Sequence, residues 1–233
     1  MVCRPNQTLP VVSGEADAST TDTAEYWITA ENASPAIKIW DTPGLLDGGD
    51  GAVETVQALH AIHRLVEDLS HKNQTVNLLI YCIRASRYRS ILRANYDLVA
   101  KLICDGNVPV VLAINGLENE GNMDDWWKRN QKRFEKHMKF QDHVCMTTTK
   151  GKWDGSRFVF QDEYEVSREK AKAVIQTNFL TNPWPIIDFA SFHAFDEKRK
   201  QYMERYNSRT EKERNLVNQF VRRLRSLGSQ NKP

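Results

Sequence analysis

A short apolar run, Ile37–Trp40, ends in Asp41 and is followed at once by Thr42, Pro43 and Gly44. Buried strands have this form, a few apolar residues bounded by turn residues. Ligands of open α/β sheets bind outside the carboxyl ends of the strands. The pattern therefore predicts a ligand site at Asp41, with a glycine whose backbone N–H can approach a phosphate closely. An ordinary strand followed by a turn explains the same residues. The rest of the sequence is therefore needed to choose between a ligand site and an ordinary turn.

Composition narrows the class of protein. The chain has 233 residues and a net charge of +2, which allows one domain with a substantial core and gives no electrostatic reason to expect nucleic acid as a partner. Its 4 cysteines form no Cys-x-x-Cys pair, as is usual in a reducing compartment. No basic-then-apolar leader and no apolar run of about 20 residues is present. We expect a cytoplasmic protein without membrane contact.

The order of periodic segments predicts the architecture. Strand 25–29 and strand 37–41, joined by a turn at 32–35, are expected to form an antiparallel hairpin. Further strands are predicted at 76–83, 108–114 and 144–147, and helices at 53–69, 91–102, 163–176 and from a cap at Asn122 or Asp124 to Met138. Strands that alternate with helices indicate βαβ crossovers and a mostly parallel sheet. Prolines at 183 and 185 divide a domain, 1–182, from a helical extension, 183–233.

Two later loops carry polar side chains directly after predicted strands. Asn115 and Glu118 follow strand 108–114, and Thr148, Thr149 and Lys150 follow strand 144–147. In GTPases an Asn/Thr-Lys-x-Asp box occupies the first place, and its carboxylate accepts hydrogen bonds that guanine offers and adenine does not. A Ser-Ala-Lys-like turn occupies the second. Each loop alone is better explained as a polar turn, but three such loops in this order favour a nucleotide site.

These residues resemble a known family. The resemblance rests on four stretches, Ile39–Leu45, Val76–Arg84, Val108–Glu120 and Met123–Trp127, within roughly residues 14–180. They are similar to P-loop GTPase G domains of fungal proteins, in the neighbourhood of septin-like and immune-associated GTPases. The resemblance implies a Rossmann-like, three-layer α/β P-loop NTPase sheet that binds GTP or GDP with Mg²⁺.

The resemblance also implies roles for residues near the phosphates. Asp41 would hold Mg²⁺ indirectly, and Gly44 would sense the γ-phosphate. Thr20 would be the switch threonine that ligates Mg²⁺, with Thr21 as the alternative if the register is shifted by one. Asp41 and Thr20 are thus the expected metal-binding residues.

A second set of roles concerns the base. Glu118 would read the guanine edge, one methylene longer than the usual Asp, and Asn115 would support its loop. Thr148 and Lys150 would complete the pocket. No residue is assigned as catalytic.

The sequence departs from the family pattern at three places. Gly116 replaces the box lysine, and Leu45 follows Gly44 where many small GTPases carry the glutamine that orients water, which predicts slow hydrolysis. No Gly-x-x-x-x-Gly-Lys-Ser/Thr phosphate loop occurs. We therefore expect an N-terminally truncated sheet that lacks the first strand, the phosphate loop and the first helix. A truncated gene product is the favoured explanation, and a degenerate paralogue is the other.

Two functions follow from this pattern. The first is a G domain that binds guanine nucleotide and, with a phosphate loop restored, acts as a slow GTPase. The second is a pseudo-GTPase that binds a protein partner, or itself, without nucleotide. The missing phosphate loop favours the second for the chain as written, whereas the base-reading loops favour the first.

Overall fold

The computed structural model describes residues 2–3, 22–30, 33–45 and 52–186. The described elements form two compact units divided between Gln74 and Thr75. The predicted extension at 183–233 lies outside the described residues from position 187 onward, as do Thr20 and Thr21. The predicted boundary at 182/183 and the predicted truncation stay predictions.

The first unit contains an antiparallel sheet and a helix. Strands β1 (Val2–Cys3), β2 (Ala24–Ala30) and β3 (Ala33–Asp41) follow one another in the sheet, and α1 spans Ala52–His71. The predicted hairpin is therefore present, and the apolar positions Ala58, Ile62 and Leu69 of α1 are buried as its helical period requires.

The predicted turn at 32–35 was placed too late, because β3 already begins at Ala33. Ala30 pairs with Ala33 and Ile28 pairs with Ile37, so β3 contains extra residues between these pairs. Pro35 falls within this irregularity. Proline cannot donate a ladder hydrogen bond and is tolerated at bulges and edges, which lets the strand continue through it.

The second unit is built on a parallel sheet. Its elements are β4 (Thr75–Val76), β5 (Leu79–Arg84), α2 (Ser90–Tyr96), a π-helix (Asp97–Ile103), β6 (Val110–Asn115), α3 (Asp124–Glu135), β7 (Asp142–Cys145), α4 (Gln161–Asn178) and β8 (Trp184–Pro185). Strands β5, β6 and β7 are parallel and adjacent in that order. Helical crossovers between consecutive parallel strands are what the alternating pattern predicts.

Three predicted elements differ from the structure. Segment 76–83 divides into β4 and β5, and β4 pairs with β8 in a separate two-stranded sheet. Helix 91–102 changes to π geometry at Asp97, and the strand predicted at 144–147 lies two residues earlier, at Asp142–Cys145. The described strands thus form three sheets, of which one is parallel, and not one mostly parallel sheet.

The core of the second unit forms where β6 meets the helices. All residues from Val110 to Ile114 are buried, and Phe134 of α3 contacts Trp126, Trp127 and Tyr88 in edge or tilted geometry. Burial of such rings dominates core energetics. α3 begins at Asp124, and Met123 rather than Asn122 or Asp124 holds the N-cap position, without a side-chain cap. Oδ1 of Asn122 still accepts the backbone N–H of Asp124 at 3.0 Å. Met138 is buried but lies beyond the helix.

This packing holds the carboxyl ends of the parallel strands at one edge. β5 ends at Arg84, β6 at Asn115 and β7 at Cys145, and Arg84 and Asn115 are register partners. The loops that follow these ends are therefore neighbours, as they must be to form a shared ligand site. Within the described residues, none of the helices is long and apolar enough to cross a membrane.

Candidate functional site

The loops after β6 and β7 are joined by two side-chain hydrogen bonds. Nδ2 of Asn115 donates to Oγ1 of Thr148 at 2.8 Å, and Oγ1 of Thr147 donates to Oε2 of Glu118 at 3.1 Å. The structure thus brings together Asn115, Glu118 and Thr148, three of the residues predicted from sequence.

Asn115 retains an unused acceptor. Its Oδ1 atom is buried and has no hydrogen-bond partner in the part of the chain that the structure describes. A buried polar atom without a partner costs about 1–3 kcal/mol. Such an atom at the carboxyl end of a parallel strand indicates a place where a ligand or a water molecule completes the bonding.

Glu118 is positioned through a buried threonine. Thr147 is 1% exposed, and its hydroxyl also accepts the backbone N–H of Thr149 at 3.2 Å. Oε1 of Glu118 has no hydrogen-bond donor among the described residues. The carboxylate is therefore held by one oxygen and can accept hydrogen bonds from a ligand with the other.

Ser167 of α4 anchors this arrangement to the helix. The Thr147 backbone N–H donates to Oγ of Ser167 at 2.9 Å, and that hydroxyl donates to the carbonyl of Glu163 at 2.6 Å. Ser167 is 1% exposed. The hydrogen bonds from Glu163 through the buried Ser167 and Thr147 to Glu118 fix the loop, which reduces the freedom that a ligand would otherwise have to remove.

The side chain of Lys150 contacts two aromatic rings. Its Nζ atom lies 5.1 Å from the ring centroid of Tyr164 and 5.7 Å from that of Phe158, both within cation–π range. The described side-chain contacts of Lys150 are thus with Phe158 and with Tyr164 on α4. Its assignment to the base pocket stays a prediction.

A short hairpin at 150–160, which was not predicted from sequence, follows the Thr147 loop. Trp153 and Phe158 form an antiparallel bridge with rings 5.3 Å apart, and Oδ1 of Asp154 accepts the N–H groups of Ser156 and Arg157. The Asp-Gly pair at 154–155 between aromatic residues is a hairpin signal that could have identified it. The hairpin presents Trp153, which is 59% exposed.

The candidate phosphate-sensing residues belong to the first unit. Asp41 is the last residue of β3, pairs with Ala24 and is exposed. Pro43 is buried and Gly44 is exposed, and a Cβ placed on Gly44 would meet nothing within 4 Å. A side chain would therefore fit at Gly44 in this structure, so steric need does not explain the glycine.

The described residues contain few side chains placed to bind a metal ion. No group of three or more His, Cys, Asp or Glu residues that could hold a metal occurs among them. Asp41 offers one exposed carboxylate, which suits an indirect contact with hydrated Mg²⁺. Thr20, the other predicted Mg²⁺ ligand, lies outside the described residues.

A separate groove runs between α3 and β7. Its volume is about 460 Å³, and its lining includes Trp127, His143, Asp124, Asp142 and Glu135. The rings of Trp127 and His143 stack with centroids 5.0 Å apart. None of the predicted site residues lines this groove, so it is distinct from the loops after β6 and β7.

Comparison with known proteins shows the fold class. No protein-family model and no curated protein matches the chain. Among solved structures the chain is similar to Era in complex with MgGDPNP and nucleotides 1506–1542 of 16S ribosomal RNA, with a TM-score of 0.50 and 16% sequence identity. The match covers 74% of this chain and 49% of the Era chain, so the chain spans about half the length of that structure.

The likeness to Era confirms a GTPase-like α/β fold at a coarse level. An identity of 16% shows the fold and no more, because one fold supports many functions. The narrower resemblance to septin-like or fungal G domains stays a prediction. The Era structure contains RNA, whereas we expect no nucleic-acid partner here, and that expectation also stays a prediction.

Proposed function

We propose that the chain is a G domain that binds guanine nucleotide through the loops after β6 and β7. One observation carries the proposal: the paired hydrogen bonds Asn115–Thr148 and Thr147–Glu118, which join the two loops and hold a half-buried carboxylate after the end of β6. A carboxylate accepts hydrogen bonds with both of its oxygens. Guanine presents donors at N1 and N2, and adenine does not present this pair, so the arrangement favours guanine.

The other nucleotide contacts of the proposed G domain are inferred from the sequence alone. Asp41 would hold Mg²⁺ through a coordinated water, and Mg²⁺ would neutralise phosphate charge. Thr20, Gly44 and Lys150 are proposed as further contacts to the nucleotide. We expect slow hydrolysis, because Leu45 has no polar group with which to orient water. The narrower proposal is a relative of septin-like and immune-associated GTPases of fungal type.

A titration of the full chain with a fluorescent guanine nucleotide and Mg²⁺ tests this function. We expect saturable binding that competing GDP displaces better than ADP does. Glu118→Gln keeps the size of the side chain but places an amide where a carboxylate accepts, and should weaken guanine binding about tenfold to a hundredfold. Adenine binding should change little.

Glu120→Gln is the matched control. Glu120 lies two residues further on and pairs with Arg129 at 2.8 Å on the surface. Its replacement should leave nucleotide affinity unchanged. Equal guanine and adenine affinities in the unaltered chain, or an unchanged guanine preference in Glu118→Gln, would contradict the base-reading role.

A second candidate function is a pseudo-GTPase that binds a protein partner. Two observations favour it: the sequence contains no Gly-x-x-x-x-Gly-Lys-Ser/Thr loop, and the 150–160 hairpin exposes Trp153 beside Val159, which is 47% exposed. Exposed aromatic residues on an ordered hairpin are frequent anchors of protein interfaces. Absence of saturable nucleotide binding, together with self-association that Trp153→Ala abolishes in sedimentation, would support this function over the first.

A further inference from the structure

Arg84 and Gly116 are packed against each other at the carboxyl ends of β5 and β6. Gly116 has φ +84°, and a Cβ placed on it would lie 3.3 Å from Cγ and 3.4 Å from Nε of Arg84. The Ala85 backbone N–H donates to the carbonyl of Asn115 at 2.8 Å, which keeps the two chain segments in register. The stem of Arg84 therefore lies across Gly116, in space that a side chain at 116 would need.

The guanidinium group of Arg84 is available for a ligand. Arg84 is exposed, and its side chain makes no hydrogen bond or ion pair with any residue within the described ranges. Its register partner is Asn115, whose Oδ1 atom is buried without a partner. The guanidinium group of Arg84, with its five N–H donors, thus belongs to the residue that ends β5. The neighbouring strand β6 ends at Asn115, and the loop that carries Glu118 follows it.

Geometry at position 116 explains why the cation comes from the neighbouring strand. A positive φ disfavours any residue with a Cβ, and the close approach of the Arg84 stem leaves little room for one. Lysine at 116 and the observed position of Arg84 therefore compete for the same space. The structure thus favours a cation supplied to this loop from another element.

We propose that Arg84 is a nucleotide-binding residue that stacks its guanidinium plane on the face of the purine base. The inference rests on the proposed function, since it takes the base to be read by Glu118 two residues after Gly116. A planar guanidinium stacks on aromatic faces and donates hydrogen bonds in its own plane. Arg84 thereby contributes base affinity, whereas Glu118 contributes the preference for guanine.

The test is a titration of the full chain with a fluorescent guanine nucleotide and Mg²⁺. Stacking of one base is worth a factor of about ten or more in affinity. Arg84→Ala should weaken binding about tenfold, and Arg84→Lys should weaken it less, because the charge remains but the planar group is lost. The ratio of GDP to ADP affinity should stay unchanged, since stacking acts on both bases.

Arg87→Ala is the matched control. Arg87 is exposed, follows β5 by three residues and changes the net charge by the same amount. It should leave affinity unchanged. Circular dichroism and thermal unfolding should be the same for all three variants, because both arginines are exposed.

A double variant tests whether positions 84 and 116 share one space. The double variant Arg84→Ala/Gly116→Lys moves the cation onto the β6 loop after the arginine stem has been removed. We expect it to bind nucleotide more tightly than Arg84→Ala alone. Because the positive φ of Gly116 strains any residue with a Cβ, stability is measured as well: Gly116→Lys should lower the urea midpoint more in the unaltered chain than in Arg84→Ala. An equal loss in both would contradict the idea that the two positions share one space.

The outcomes separate this inference from the proposed function. Saturable, guanine-selective binding that Arg84→Ala leaves unchanged would overturn the role of Arg84 and keep the G-domain proposal. If Arg87→Ala loses as much affinity as Arg84→Ala does, net charge alone explains the loss. That result would also overturn the role of Arg84. No saturable binding by the unaltered chain would reject the proposed function and this inference together.

Discussion

The hydroxyl of Thr147 donates a hydrogen bond of 3.1 Å to the carboxylate of Glu118 and so joins the loop after β7 to the loop after β6. Thr147 is almost fully buried, and Oγ of Ser167 accepts its backbone N–H at 2.9 Å. The position of the carboxylate therefore depends on a buried residue of the neighbouring loop.

Thr147→Val should uncouple Glu118 from this anchor. Valine keeps the shape of threonine but removes the donor, so we expect a loss of about 1 kcal/mol in the free energy of unfolding. The GDP-to-ADP affinity ratio should fall several-fold because the carboxylate is no longer held. Urea unfolding and competitive nucleotide titration measure the two effects.

Thr177→Val is the control for Thr147→Val, since Thr177 is exposed on α4. It should change neither quantity. A Thr147→Val protein that is destabilised yet keeps its full guanine preference would show that the bond serves folding alone.

Sequence periodicity predicted the parallel part of the fold well and its boundaries poorly. β6 is apolar and buried from Val110 to Ile114, so the position of this part of the strand was clear from sequence. The separation of β4 from β5 could not be predicted, because Thr75–Val76 pairs with Trp184–Pro185, more than a hundred residues away. Such a pairing leaves no local signal.

The site was predicted unevenly for a similar reason. Asn115 and Glu118 follow a clear strand, and the structure places them at its end. Thr147 was assigned to a strand that in fact ends at Cys145, so its bond to Glu118 was missed. Lys150 was assigned by its position after the threonines, and its contacts with Phe158 of the hairpin and Tyr164 of α4 had no signal in that spacing, so its role stays a prediction.

Gly151→Ala should destabilise the hairpin at 150–160. Gly151 has φ +74°, and a Cβ there would lie 2.6 Å from Cδ2 of Phe160, so strain and collision add. Left-handed backbone costs about 1–2 kcal/mol for a residue with a Cβ. We expect a loss above that range in the free energy of unfolding, measured in urea.

Gly155→Ala separates the two contributions to the Gly151 effect. Gly155 also has a positive φ, +108°, but a Cβ there would meet nothing within 4 Å. Its replacement should therefore cost the backbone strain without the collision. Equal destabilisation by both substitutions would show that Phe160 moves aside.

The stability of the second unit should fall as His143 becomes protonated. Burial against Trp127 lowers the pKa of His143 below 6.5. The negative charges of Asp142, Asp124 and Glu135 raise this pKa, but by less than burial lowers it. The positive charge of Lys170 lowers it further. The unfolded chain therefore binds the proton at a higher pH than the folded chain does. Stability should be constant above about pH 6.5 and decrease as the pH falls below it.

Urea midpoints between pH 5 and pH 8 measure the effect of His143. His143→Gln should flatten the decrease between pH 6.5 and pH 5. His71→Gln is the control, because His71 is exposed at the end of α1 and should leave the decrease in place. An identical decrease in His143→Gln and in the unaltered chain would assign it to other groups.

Cysteine alkylation should distinguish the buried thiols from the exposed one. Burial raises the pKa of Cys104 to about 12 and that of Cys145 to about 11, whereas Cys82 is exposed on β5. At pH 8 the thiolate fractions of the two buried residues are then about one in ten thousand and about one in a thousand, and the thiolate is the reactive form.

With Cys3 replaced by serine, iodoacetamide at pH 8 should modify Cys82 in the native protein and leave Cys104 and Cys145 intact. In urea all three should react at similar rates, because the burial that raises the two pKa values is lost. Peptide mass spectrometry at successive times measures each site. Rapid native modification of Cys145 would mean that the end of β7, from which Thr147 reaches Glu118, opens readily, and the anchored carboxylate would then lose its structural basis.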